Sequence, residues 1–154
     1  MPAFELTAGT FKEGASIPTQ HTCEGEDRSP PLRWNHPPAG TRCFALIADD
    51  PDAPGGTWVH WVLFNIPIDV RGLEEGLPAQ EILPNDARQG LNDSKQVGYG
   101  GPCPPPGTPH RYYFTLYALD HELNLKPRAT KAQVVAAMKG HVLGEAQVMG
   151  RFGR

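Results

Sequence analysis

The sequence predicts a mainly β fold in one domain spanning residues 1–154, and three observations carry that expectation. Residues 44–48, 59–66 and 111–119 are apolar, aromatic-rich runs of strand length. The 17 prolines and 17 glycines cluster between those runs, as ordered turns between strands require. After Pro127 the pattern changes, and apolar residues recur at helical spacing. A chain of 154 residues buries roughly two thirds of its unfolded surface, enough for one full core.

Taken in order, residues 3–7 alternate well enough for a short strand. Residues 11–38 are interrupted by Gly14, Pro18, Gly25, Pro30, Pro31, Pro37 and Pro38, and proline lacks the ladder donor. Only short extended pieces fit there, one of which should bring Trp34 down onto the main sheet. Residues 44–48 and 59–66 are the surest strands, and the loop of residues 51–57 between them is short enough for a hairpin. The second is apolar on both faces apart from His60 and Asn65, as a covered central strand is. Residues 67–98 show no sustained period and should hold short elements or a functional loop. Residues 111–119 return as a Tyr- and Phe-rich strand. Thr130 is placed to cap a helix bearing Val134, Val135, Met138 and Val142 on one face, with Lys131, Gln133 and Lys139 opposite. Gly140 and Gly144 leave its end open, and residues 146–152 form a closing strand. A cis X-Pro bond is expected within residues 51–54 or 102–109, where tight turns are proline-dense.

A formal charge of -3 gives no electrostatic footprint for nucleic acid or an anionic membrane. No run of 18 apolar residues and no basic, apolar leader are present, so a cytoplasmic protein without integral membrane association is expected. Three cysteines without C-x-x-C spacing indicate neither a zinc ribbon nor a disulfide framework, and reduced thiols are the plain reading. Cys23 and Cys103 both lie in Pro/Gly-rich loops and are the pair that a disulfide would join.

Two segments carry chemistry: Asp50-Pro51-Asp52-Ala53-Pro54 leading to Trp58-Val59-His60-Trp61, and Gly100-Gly101-Pro102-Cys103-Pro104-Pro105 leading to His110-Arg111-Tyr112. Residues two apart in a strand share a face. Even parity puts Asp50 with Phe44, Leu46 and Ala48, puts His60 with Val62, Phe64 and Ile66, and puts His110 with Tyr112 and Phe114. Asp50 ends its strand while both histidines begin theirs, so an antiparallel sheet gathers all three at one end. Each has an ordinary alternative: a hydrogen-bonded core histidine for His60, a turn cap for His110, a backbone-amide acceptor for Asp50 and Asp52. Their convergence beside rigid loops favours a site. Two imidazoles, the Tyr112 hydroxyl and free backbone N–H groups around Gly100 and Gly101 are donors suited to phosphate or carboxylate. Asp50 in turn suits the cationic part of a ligand such as a phosphoamine.

In these segments the chain resembles the phosphatidylethanolamine-binding protein family, also called Raf kinase inhibitor proteins, in its compact bacterial and archaeal branch. The likeness runs from Phe11-Lys12-Glu13-Gly14 through Ser29-Pro30-Pro31-Leu32-Arg33-Trp34 to Gly140-His141. It implies a β-sandwich-like fold with a large antiparallel central sheet, a smaller second sheet and one or two helices near the carboxyl end. It also implies a small anion pocket in which Asp50, His60, His110 and Tyr112 match the family's site. With the neighbouring loop residues, the candidate ligand-binding set is Asp50, Asp52, His60, Gly100, Gly101, Pro102, His110 and Tyr112. The chain is shorter than the animal members and lacks their extended carboxyl-terminal helix.

The leading functional expectation is a non-catalytic module that binds a small anionic ligand, phosphate or a phospho-headgroup, with no cofactor, and regulates a protein partner such as a kinase or protease. The alternative is a metal-dependent hydrolase using His60, His110 and Asp50 as a two-histidine, one-carboxylate site. A third reading is an inhibitor acting through an exposed loop within residues 73–92. Homodimerisation through an uncovered aromatic surface is left open.

Overall fold

In the computed structural model, which describes residues 2–154, two antiparallel sheets and a helix form three layers. The larger sheet contains β3 (Cys43–Asp50), β4 (Trp58–Pro67), β6 (Arg88–Gln89), β7 (His110–Leu119) and β8 (Val142–Phe152), in the order β6-β4-β3-β7-β8. The smaller contains β1 (Glu5–Ala8), β2 (Leu32–Asn35) and β5 (Gly72–Leu73), in the order β1-β2-β5. Helix α1 (Lys131–Met138) covers the far face of the larger sheet. The sandwich with one helix near the carboxyl end is the expected architecture, and residues 67–98 do contain short elements, β5 and β6.

The core follows from strand alternation. Leu46, Trp61 and Phe114 of the larger sheet meet Leu6, Leu32 and Trp34 of the smaller one. Trp34 packs edge-on against Phe44 with ring centres 5.5 Å apart, so the proline-flanked strand β2 does deliver its aromatic to the main sheet. On the other face Ile47, Val62 and Phe64 lie beneath Val134 and Met138 of α1. Each such side chain contributes about 1.5–3 kcal/mol of transfer free energy.

Helix α1 is shorter than its apolar spacing suggests. Thr130 caps it through a reciprocal capping box with Gln133, but Gly140 turns left-handed at φ 83° and ends it. Val142 is therefore the first residue of β8, and Val135 and Val142 are both exposed; only Val134 and Met138 reach the core. The expected cis proline is also absent: all peptide bonds among the described residues are trans. Gly98, Gly56 and Gly107 adopt positive φ and make the sharp turns instead.

Simple parity fails in β4. Phe44 pairs with Ile66 but Leu46 with Leu63, and Ala48 pairs with Trp61 but Asp49 with Val59, so β4 holds two more residues than β3 opposite. Asn65 lies in the first irregularity at φ 52°, and its amide bonds the backbone of Leu123 in both directions. His60 is the extra residue of the second. These bulges send Val62 and Phe64 to the helix side, while Trp61, Leu63 and Ile66 face the sandwich. His60 reaches the end of the sheet near Asp50 because a bulge re-aims it, not because it shares a face with Val62.

Candidate ligand cavity

Strands β3 and β4 join through residues 51–57, and β7 is antiparallel to β3. Asp50, His60 and His110 consequently meet at one end of the larger sheet. They line a cavity of about 550 Å³ together with Tyr112, Trp58, Asp27, Gly100, Gly101 and the Cys23–Cys103 disulfide. That is the size range of small-molecule sites.

Asp50 is almost fully buried. Its Oδ1 accepts the backbone N–H of Asp52 at 2.7 Å, closing the turn, and its Oδ2 accepts His110 Nδ1–H at 2.7 Å. The His110 proton is thereby fixed on Nδ1, and Nε2 is the nitrogen left for a ligand. His60 is arranged likewise: the Gly100 carbonyl, which can only accept, takes its Nδ1–H at 2.6 Å. Tyr112 lies between the two imidazoles, edge-on to His60 at 5.3 Å and nearly parallel to His110 at 6.4 Å. Burial, reinforced by Asp50 and Asp52, pushes the Tyr112 hydroxyl well above its ordinary range, so it remains a donor.

Burial lowers the His60 pKa below its ordinary 6.5, against the raising effects of the Gly100 carbonyl and Asp50. The unfolded chain takes up this proton before the folded one, so folding stability falls as pH drops below 6.5. The slope from one such group is at most about 1.4 kcal/mol per pH unit. Urea titrations between pH 8 and 5 should show that loss, and His60→Asn, whose amide replaces the donor, should show a shallower one. Equal slopes would remove His60 as the cause.

Other candidate residues fall elsewhere. Asp52 does not line the cavity. Its carboxylate binds Arg111 three times, at the backbone N–H (2.9 Å), Nε (2.9 Å) and the terminal nitrogen (2.8 Å), and the Arg111 guanidinium and amide hold it well below the usual carboxylate range. It fastens the β3–β4 turn to the start of β7 and so positions His110. Pro102 is buried behind the rim, where its carbonyl accepts Cys23 N–H. Gly100 and Gly101 do line the cavity, but their amides are occupied: Gly100 N–H donates to His60 O at 2.9 Å and Gly101 N–H to Asp27 Oδ1 at 2.8 Å. The expected free-amide nest is not formed.

The metal-site geometry is also not assembled. Asp50 binds His110 rather than converging with it on a third point, and among the described residues no three His, Cys, Asp or Glu side chains converge as metal ligands.

One feature escaped the sequence. Asp27 brings a second carboxylate to the cavity wall, and among the described residues no Lys or Arg lines it. The Cys23–Cys103 disulfide, with Cα atoms 5.4 Å apart, joins the pair that lies in the Pro/Gly-rich loops and replaces the reduced thiols of the plain reading. Had that pairing been taken from the loop composition, Asp27, four residues from Cys23, would have been drawn to the site. Among the described residues Cys43 alone is a free cysteine; burial, with Glu122 and Asp120 nearby, pushes its thiol up to about 11.

The family model described as phosphatidylethanolamine-binding protein matches residues 7–153. A UPF0098 protein of Methanothermobacter thermautotrophicus is 52% identical over 149 residues, covering 97% of this chain and 98% of the relative. Among solved structures, a putative phosphatidylethanolamine-binding protein homologue from Chlamydia trachomatis superposes with a TM-score of 0.91 at 38% identity, over 100% of this chain and 99% of the other. YbcL of E. coli, described as a new member of the mammalian PEBP family, gives 0.92 at 34% identity, over 99% of each. Among the described residues no helix is long and apolar enough to cross a membrane.

Proposed function

This chain belongs to the phosphatidylethanolamine-binding protein family, and from that premise we propose that its cavity binds, without turning it over, a small ligand carrying a phosphate group. The observation that supports this most is the pair of imidazoles whose Nδ1 atoms are tied, His110 to Asp50 and His60 to Gly100. Each has one nitrogen left for the same ligand. With a protonated Nε2 His60 donates to a phosphate oxygen, His110 presents its own Nε2 to the same ligand, and the Tyr112 hydroxyl adds a further donor. The ligand's negative charge offsets the cost of protonating His60 in a buried place, so binding takes up a proton.

The two carboxylates of the wall, Asp27 and Asp50, disfavour a bare polyanion and favour a ligand with a cationic end, of the phosphoethanolamine type. Occupancy fixes the rim loops at residues 51–57 and 101–106, the surface through which a partner such as a kinase or protease would sense the ligand.

Calorimetric titration with phosphoethanolamine tests the reading. His110→Ala and Asp50→Asn should each weaken binding at least tenfold, about 1.4 kcal/mol, while circular dichroism stays that of the parent. Parental affinity in either variant would sink the assignment. Inorganic phosphate should bind more weakly than phosphoethanolamine if the carboxylates act on a cationic end.

A further inference from the structure

At the end of the larger sheet opposite the cavity, two histidines outside the candidate site lie beside one another. His121 follows β7 and His141 precedes β8, and their ring centres are 5.5 Å apart with planes inclined at 39°. The frame beneath them is fixed. Leu119 pairs with Val142 across the ladder, Asp120 N–H donates to His141 O at 3.0 Å, and His141 N–H donates to Met138 O at 2.8 Å. Under this frame the buried Cys43 thiol donates to the His121 carbonyl.

The ring nitrogens are sorted as at a metal site. His141 Nδ1–H donates to the Asp120 carboxylate at 2.8 Å, and His121 Nδ1–H donates to the Glu122 carbonyl. A carboxylate or carbonyl on Nδ1 fixes the tautomer that keeps the lone pair on Nε2, which is the outer-shell arrangement of metal-binding histidines. His141 and Asp120 are both partly solvent-accessible, so an ion can reach them. The ring separation also fits. With metal–nitrogen bonds of about 2.0–2.1 Å and a tetrahedral angle, two imidazoles on one ion have centres roughly 5–5.5 Å apart.

We propose that His121 and His141 form a two-histidine chelate for a divalent transition-metal ion of the zinc, nickel or copper class, through their Nε2 atoms. Imidazole selects that class over magnesium or calcium. No third His, Cys, Asp or Glu completes a cluster among the described residues, so water fills the other positions and the site is open. The ion ties the segment after β7 to the one before β8, where α1 is inserted between them.

Zinc chloride titrated by calorimetry into the full chain should give one saturable site per chain. His121→Ala and His141→Ala should each weaken it at least tenfold, because one imidazole forfeits the chelate. His110→Ala, at the cavity, should leave it unchanged. Substoichiometric nickel should broaden the amide NMR signals of residues 120–122 and 141 before those around His60. Absence of saturable zinc uptake, parental affinity in either single variant, or a loss confined to His110→Ala overturns the proposal. These outcomes do not depend on phosphoethanolamine binding.

Discussion

Removing the Cys23–Cys103 disulfide with the double variant Cys23→Ser/Cys103→Ser is expected to lower the unfolding free energy by about 2–4 kcal/mol. The bond joins residues 80 positions apart, and chain-entropy arguments put the ceiling for such a loop at about 4.5 kcal/mol. The folded state itself changes little, because the two segments stay linked there by other bonds. Cys23 N–H donates to Pro102 O, Gly101 N–H to Asp27, and the Tyr99 hydroxyl to His21 O at 2.8 Å. The effect therefore lies mostly in the unfolded chain, which also gains exposed surface once the link is gone, so the urea m-value should rise. Equilibrium unfolding in urea measures both. A loss under 1 kcal/mol with an unchanged m-value would contradict a closed disulfide in the parent, as would three reactive thiols in the denatured, unreduced chain instead of the one from Cys43.

The elements that the sequence disclosed are those whose pattern is local. Strands β3, β4 and β7 were legible from apolar runs bounded by Pro and Gly, and Thr130 with Gln133 marked the helix start. Where a single residue changed the phase, pattern reading failed. Val142 continues a helical spacing and yet belongs to β8, because Gly140 reverses the chain between them. In β4 nothing apolar marks the bulges; Asn65 is the one hint, as asparagine tolerates positive φ better than most residues.

The candidate site was legible to a similar depth. Asp50, His60, His110 and Tyr112 line the cavity, and antiparallel order was enough to bring Asp50 and His110 together. What sequence could not supply is which polar groups were already engaged. Asp52 is the same residue type as Asp50 and only two residues away, but its side chain points to the face where Arg111 takes both its oxygens. The amides of Gly100 and Gly101 are spent on His60 and Asp27, the second pair separated by 74 positions. Such partners are fixed by the tertiary fold, and no local signal announces them.

Gly101→Ala is the substitution expected to damage fold and cavity together. Gly101 does not adopt positive φ; the constraint is space. An added Cβ would stand 2.2 Å from Asp27 Oδ1 and 2.2 Å from the His21 carbonyl oxygen. The aspartate can swing away, but doing so breaks its bond to Gly101 N–H. The His21 carbonyl cannot move freely, since His21 is fully buried with one ring nitrogen bonded to Thr10 and the other to Arg28 O, both at 2.8 Å, and its own carbonyl accepts Tyr99. Relief must come from the loop that carries Gly100, and Gly100 O is what orients His60. Overpacking of this kind costs about 1–3 kcal/mol, and loss of the Gly101–Asp27 bond adds about 1 kcal/mol or more. A drop of roughly 2–4 kcal/mol in urea unfolding and weakened phosphoethanolamine binding are both expected. Gly55→Ala is the matched comparison: Gly55 lines the same cavity, but its Cβ would meet nothing within 4 Å, and it should unfold within about 0.5 kcal/mol of the parent. If the two alanine variants proved equally stable, the close approach of the 98–107 loop to His21 would be wrong, and with it the placement of the Gly100 carbonyl that fixes the His60 tautomer.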